Sequence, residues 1–235
     1  MYVHDNFITD PNLIQAIKAD DSFFPHIMET LEDRGNLGDG QGLQYHSEES
    51  SCHAPYMFWD GWWNSPADTL KKQVIQAIWE QQHIRDFSLD EVIGFEYWTR
   101  TFVPPQFLAH HVDEDTFLYA KNKKFNAPIS GSVWYGFTDA SEGGMLEIHQ
   151  PKIEGFPTRG LEPGTIAHYI SPKDERERVA HAPNRLVVFD VGRRLHETTP
   201  VQSGSRQVMV INVWHKDKPP FALEAGEFFY ENTTI

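Results

Sequence analysis

Apolar residues recur at helical spacing in two stretches near the N-terminus and gather into strand-like runs separated by turn residues after Asp90. In "TDPNLIQAIKAD" (9–20), Leu13, Ile14 and Ile17 form one stripe, Asp10 is placed to cap a helix and Pro11 suits its first turn. In "SPADTLKKQVIQAIWEQQ" (65–82), Leu70, Val74, Ile75, Ile78 and Trp79 repeat at the same period. Ser65 with Asp68 resembles a capping box, aspartate replacing the usual glutamate, and Pro66 takes the first helical position. "YVHDNFI" reads as a short strand, and residues 33–56, polar and glycine-bearing, read as a long loop. After Asp90 come strand-like runs: "EVIGFEYWTRTF", "ISGSVWYGFTD", "GMLEIH", "GTIAHYIS", "RLVVFDVG" and "RQVMVINVW". Turn residues separate them, among them Pro104-Pro105, Gly143-Gly144, Pro163-Gly164 and Gly204. Helices first and strands afterwards predict an α+β, mainly β chain built on a sandwich or jelly roll. A single domain is expected, with a helical support region over 1–89, a catalytic core over 90–217 and a C-terminal tail over 218–235.

Composition narrows this. At 235 residues, 40% hydrophobic with seven tryptophans, the chain can bury a sizeable core. A net charge of −14 repels phosphate backbones, so no nucleic-acid partner is expected, although Lys121, Lys123 and Lys124 form a local basic patch. One cysteine, Cys52, excludes an internal disulfide and suits a reducing compartment. "MYVHDNFITD" has no secretory character, and no apolar run approaches the roughly 20 residues that span a bilayer. The expectation is a cytoplasmic protein with no membrane partner.

Candidate chemistry concentrates in "FLAHHVDEDT" (107–116). So much charge beside apolar residues is costly near a core unless something binds it. On a strand, His111 and Asp113 would share a face while Val112 points away. Two ligands leave a divalent metal under-coordinated, and His196, after the apolar run "RLVVFDVG", is the candidate third, projecting from a strand end. Two histidines and one carboxylate on one face of a metal suit non-haem Fe(II) and leave positions open for chemistry. Ten positions beyond His196, Arg206 opens the most apolar run of the chain. An arginine there is expensive to bury without an anion, and its rigid fork matches a carboxylate.

"HHVDED", "GGMLEI" and "LHETTPVQSGSR", in this order, resemble the 2-oxoglutarate and Fe(II)-dependent dioxygenases, specifically the prolyl 4-hydroxylase-like branch, over about residues 90–215. The resemblance implies a double-stranded β-helix (jelly-roll) core with supporting N-terminal helices. It implies His111, Asp113 and His196 as catalytic iron ligands and Arg206 as the partner of the distal carboxylate of the cosubstrate, 2-oxoglutarate. Tyr135, in "VWYGF", matches a tyrosine that helps hold that cosubstrate. The implied reaction consumes O2, releases succinate and carbon dioxide, and hydroxylates an aliphatic C–H, with peptidyl proline as one substrate. Many relatives carry a tyrosine shortly before the first histidine; "QFLAH" stands there in this chain.

Blander readings compete. His110 should face away from His111 and be structural. Glu114 and Asp115 read as loop charges, with Asp115 an alternative ligand in another register. His149, His168 and His181 read as strand-end histidines, and Arg193 and Arg194 as surface pairs. Trp59, Trp62 and Trp63 read as packing for helix 65–82. The same chemistry on a free amino acid or small metabolite is an alternative function, as is a cupin-like metal-binding module without turnover. Nucleic-acid demethylases of related type carry a second arginine shortly after the first; no arginine follows Arg206.

Overall fold

The computed structural model describes residues 1–26, 57–152 and 169–225. Cys52, His168 and the 33–56 segment lie outside the described residues. Twelve strands and four α-helices are present among the described residues. β1 (Tyr2–His4), α1 (Pro11–Ala19), β2 (Met57–Trp59) and α2 (Leu70–Trp79) come first. β3 (Val92–Phe102), β4 (Leu108–His111), α3 (Thr116–Asn122), β5 (Ser130–Tyr135), β6 (Glu142–Gly143) and β7 (Leu146–Lys152) follow. β8 (Glu177–Val179), β9 (Leu186–Phe189), β10 (Arg194–Thr198), β11 (Val201–Ser203), β12 (Arg206–His215) and α4 (Phe221–Ala225) complete the order.

The pairing is antiparallel throughout the named strands. A six-stranded sheet runs β1-β9-β5-β12-β3-β2, and a four-stranded sheet runs β4-β10-β7-β8. The 1–89 region, expected as helical support, thus also supplies two strands to the large sheet, β1 on one edge and β2 on the other.

The period of two along β12 explains how the large sheet has two buried faces. Met209, Ile211 and Val213 pack with Phe95, Tyr97, Trp134 and Val188 against Ile17 of α1 and Val74, Ile75, Ile78 and Trp79 of α2. Val208 and Val210 belong instead to a second core with Phe102, Val133, Tyr135, Val187 and Phe189. Leu146, Ile148 and Val179 of the small sheet close that core from the other side. The molecule is therefore helices on a sheet on a sheet, and the candidate chemistry lies on the inner face.

Two details of the helices differ from the periodicity reading. α1 starts where expected, with Asp10 accepting from the Asn12 amide. α2 does not begin at Ser65; its cap is Thr69, which accepts from the Lys72 amide, and it ends at Trp79. Ser65 is used elsewhere, accepting from the Trp59 indole N–H at 2.8 Å while its hydroxyl donates to Asp60. Asp68 pairs with Lys72 at 2.6 Å instead of completing a capping box. Trp59 is buried, and Trp62 stacks on Phe95 with centroids 5.8 Å apart, whereas Trp63 stays partly exposed.

Asn184 fixes which aromatic of "VWYGF" faces inward. It sits in the left-handed region (φ 55°), which asparagine tolerates better than most residues. Its side chain bonds both the amide and the carbonyl of Ile8 and accepts from the Trp134 indole. Trp134 is thereby held on the helix-covered face, which leaves Tyr135 on the inner one.

Candidate metal centre and anion pocket

His196 lies within its own strand, β10, not at the end of the preceding one as the sequence suggested. It is the direct antiparallel partner of His111 on β4 and of Ile148 on β7. A β-bulge sets the neighbouring register: His196 opposes His111 but Thr198 opposes Leu108, so two steps on β10 match three on β4. Without the extra residue, Leu108 and His111 would face opposite ways. With it, Leu108 packs into the inner core while His111 also turns inward, its ring centroid 4.3 Å from that of His196.

β4 ends at His111, so Asp113 is past the strand rather than on it. Its backbone stays tethered, the Asp113 amide donating to the Val191 carbonyl at 2.9 Å. Val112 turns away into a separate cluster with Leu195. The Asp113 carboxylate then lies 3.5 Å from His111 Nε2 and 3.7 Å from His196 Nε2.

Both imidazoles have their tautomer set by the backbone. His111 Nδ1 lies 2.6 Å from the Ala109 carbonyl oxygen and His196 Nδ1 lies 2.9 Å from that of Arg194. A carbonyl only accepts, so each Nδ1 must carry the proton and each Nε2 presents a lone pair toward Asp113. Burial lowers the His196 pKa to about 4, with His111 adding to the effect, so its lone pair persists at neutral pH. Burial pushes Asp113 upward, but the histidines and the Asn212 amide outweigh it and hold the carboxyl below its ordinary value. Adjacent ligands of an ion bound at about 2.1 Å sit roughly 3 Å apart. The three groups, within 4.8 Å of one another, are thus spaced and protonated as a divalent metal requires.

A second cluster, His110, His149 and Glu197, has similar spacing on the other face of the small sheet. His110 Nε2 is 3.0 Å from Glu197 Oε1, which bears out its expected orientation away from His111. Protonation argues against a metal here. The backbone amide of Ser171 donates to His149 Nδ1 at 3.0 Å, which occupies that lone pair and leaves the proton of the neutral ring on Nε2. Neither nitrogen of His149 then offers a lone pair. Arg176 already supplies a cation, its Nη1 3.0 Å from the same Glu197 oxygen and 2.6 Å from Glu147.

Other acidic residues near the site differ in their surroundings. Glu114 and Asp115, expected as loop charges, are buried. Asp115 caps α3 through the Leu118 amide and accepts from the Phe221 amide at 2.6 Å. Arg193 makes the expected surface pair with Asp190, whereas Arg194 is buried against Glu177 and the His149 carbonyl. Glu96 accepts from the indole of Trp214 and the amide of Asn212 on the inner face. Full burial raises its pKa to about 8, so it is neutral at pH 7 in the metal-free protein.

Glu96 has a testable consequence. Its folded pKa lies above the unfolded value of 4.5, so the folded state alone binds this proton in between. Stability is highest below the unfolded pKa and falls as pH rises toward about 8, by about 1.4 kcal/mol per unit at most. Glu96→Gln, which keeps an acceptor and cannot ionise, should flatten that slope between pH 5 and 8 in urea titrations of metal-free protein.

The other predicted residue, Arg206, is 2% exposed. Its guanidinium sits 5.0 Å from the centroid of Tyr135 and 5.2 Å from that of Phe102. No carboxylate pairs with it among the described residues, and its Nε is buried without a hydrogen-bond partner. The Tyr135 hydroxyl is likewise buried and unbonded. Room for the arginine comes from Gly144 (φ +62°), where a Cβ would come within 3.1 Å of both Arg206 Cδ and Val201. Arg206 and Asn212 lie on the same face of β12, so one strand carries both the cation and the amide that donates to Glu96.

His181, read from the sequence as a strand-end histidine, lies two residues past β8 and is buried beside Tyr135, ring centroids 5.2 Å apart.

No protein-family model and no curated sequence matches the chain. Among solved structures it is similar to a prolyl-4-hydroxylase from Pseudomonas putida at 16% identity, over 92% of this chain and 87% of that one, with a TM-score of 0.41. The functional reading therefore stands on the side-chain geometry. No helix among the described residues is long and apolar enough to cross a membrane.

Proposed function

We propose that this chain is an Fe(II)- and 2-oxoglutarate-dependent dioxygenase that hydroxylates an aliphatic C–H. The observation carrying the reading is the pairing of two features on the inner faces of the sheets. One is the His111–Asp113–His196 group with its lone pairs free; the other is Arg206, buried without a counter-charge among the described residues. A metal-binding module without turnover accounts for the first and leaves the second as an unexplained cost.

His111, Asp113 and His196 would hold the iron, and Arg206 with Tyr135 would hold the distal carboxylate of 2-oxoglutarate. The iron and this cosubstrate supply the oxidation, with release of succinate and carbon dioxide. The chain's own work is to bind, orient and shield. The Ala109 and Arg194 carbonyls fix the imidazole tautomers, and the Asn212 amide steadies Asp113. Arg206, buried against Tyr135 and Phe102, attracts a carboxylate more strongly than it would in water. Peptidyl proline is the first substrate class to test, because the motifs resemble the prolyl 4-hydroxylase-like branch.

The test is succinate release from 2-oxoglutarate by protein reconstituted with Fe(II), assayed with proline-containing peptides, free amino acids and no substrate. Turnover that requires both Fe(II) and O2 is expected. Metal binding without any consumption of 2-oxoglutarate would favour the non-catalytic module.

A further inference from the structure

We infer that His181 is a third donor of the anion pocket and, with Arg206 and Tyr135, selects ligands that carry a carboxylate at the end remote from the metal. This rests on the functional reading above and deepens it.

The inference follows from one proton. The Ser141 amide donates to His181 Nδ1 at 3.1 Å, and a backbone N–H can only donate. The Nδ1 lone pair is therefore occupied, and the neutral ring carries its proton on Nε2. Neutrality is set by burial, which lowers the His181 pKa to about 4, with the nearby Arg206 charge acting in the same direction. Nε2–H is then a fixed donor, fully buried and without an acceptor. An orphaned buried donor costs roughly 1–3 kcal/mol and is rare unless something arrives to accept from it.

The neighbours indicate what arrives. Tyr135 neighbours both other groups, its ring 5.2 Å from His181 and 5.0 Å from the Arg206 guanidinium. All three carry a buried polar hydrogen with no partner. Two of the three, Arg206 Nε–H and His181 Nε2–H, cannot accept, and the hydroxyl can supply a third hydrogen bond. Three unsatisfied donors, one of them cationic, suit an anion with several lone pairs, and a carboxylate oxygen pair fits that number. His181 comes from the segment after β8, whereas Tyr135 and Arg206 stand on neighbouring strands, β5 and β12. The pocket is thus closed by a group outside the sheet that carries the other two.

The test compares two metal chelators on Mn(II)-loaded protein without oxygen. N-oxalylglycine carries a remote carboxylate; oxalate does not. His181→Phe should weaken N-oxalylglycine binding by between about 10- and 100-fold, the effect of one hydrogen bond to a charged group. Oxalate and Mn(II) affinities should be unchanged. His181→Gln, which restores an N–H donor, should recover much of the loss. Equal weakening of both chelators would mean that His181 only supports the fold, and no weakening of either would remove it from the pocket. Wild-type protein that binds oxalate but gains nothing from the remote carboxylate would overturn the cosubstrate reading itself and this inference with it.

Discussion

Asp113→Ala abolishes divalent metal binding and, with it, 2-oxoglutarate turnover. Among the described residues, the Asp113 carboxylate is the acidic group that clusters with both histidine Nε2 atoms, at 3.5 and 3.7 Å. Asp115 is not available to replace it, being spent on the α3 cap and the Phe221 amide. Loss of groups that merely support a ligand costs about 10- to 100-fold in metal affinity, so loss of a ligand should exceed about 100-fold. Removing the carboxylate also leaves two imidazoles with no charge to offset a cation in a buried site. Asp113→Asn preserves shape without charge and should fall between the two. Mn(II) titration monitored by electron paramagnetic resonance reads the affinity directly, and retained stoichiometric binding by Asp113→Ala would contradict the assignment.

Arg206→Met produces two effects of opposite sign. Binding of 2-oxoglutarate to Mn(II)-loaded protein should weaken by several kcal/mol, in the range of about 2–5 found when one member of a buried charge pair is removed. The ligand-free protein should become more stable, since a buried guanidinium with no anion is replaced by an apolar chain of similar length. Replacing buried ionic groups in this way has gained about 1–4 kcal/mol elsewhere. The surroundings favour that outcome: Tyr135, Phe102 and Val201 already line the site with apolar surface. Calorimetric titration and urea denaturation measure the two effects. A guanidinium that served only to stabilise the fold would show the reverse, with lower stability and unaltered ligand affinity.

The strands of the large sheet and the closeness of His111 to Asp113 were legible in sequence because both start from short-range spacing. "RQVMVINVW" is an apolar run buried on both faces, and period two puts Arg206 on one face with Val208, Val210 and Asn212, as β12 has it. His111 and Asp113, two apart, did converge, although a backbone tether at Val191 and not strand geometry brings Asp113 round. What was not legible depends on distant partners. The start of α2 was misplaced because Ser65 is drawn away by Trp59 and Asp60, a tertiary competition the local capping pattern does not contain. The bulge that turns both Leu108 and His111 inward is a property of the β4–β10 pair and not of either segment. His181 gave no signal because its role depends on a proton placed by Ser141, 40 positions earlier. The same logic, applied to His149 and Ser171, separates the two histidine clusters that look alike by spacing.

The most direct measurement is anomalous diffraction from crystals soaked in Mn(II). The account predicts one strong peak bounded by His111 Nε2, His196 Nε2 and the Asp113 carboxylate, and none beside His149. A peak among His110, His149 and Glu197, with the Asp113 site empty, would contradict it.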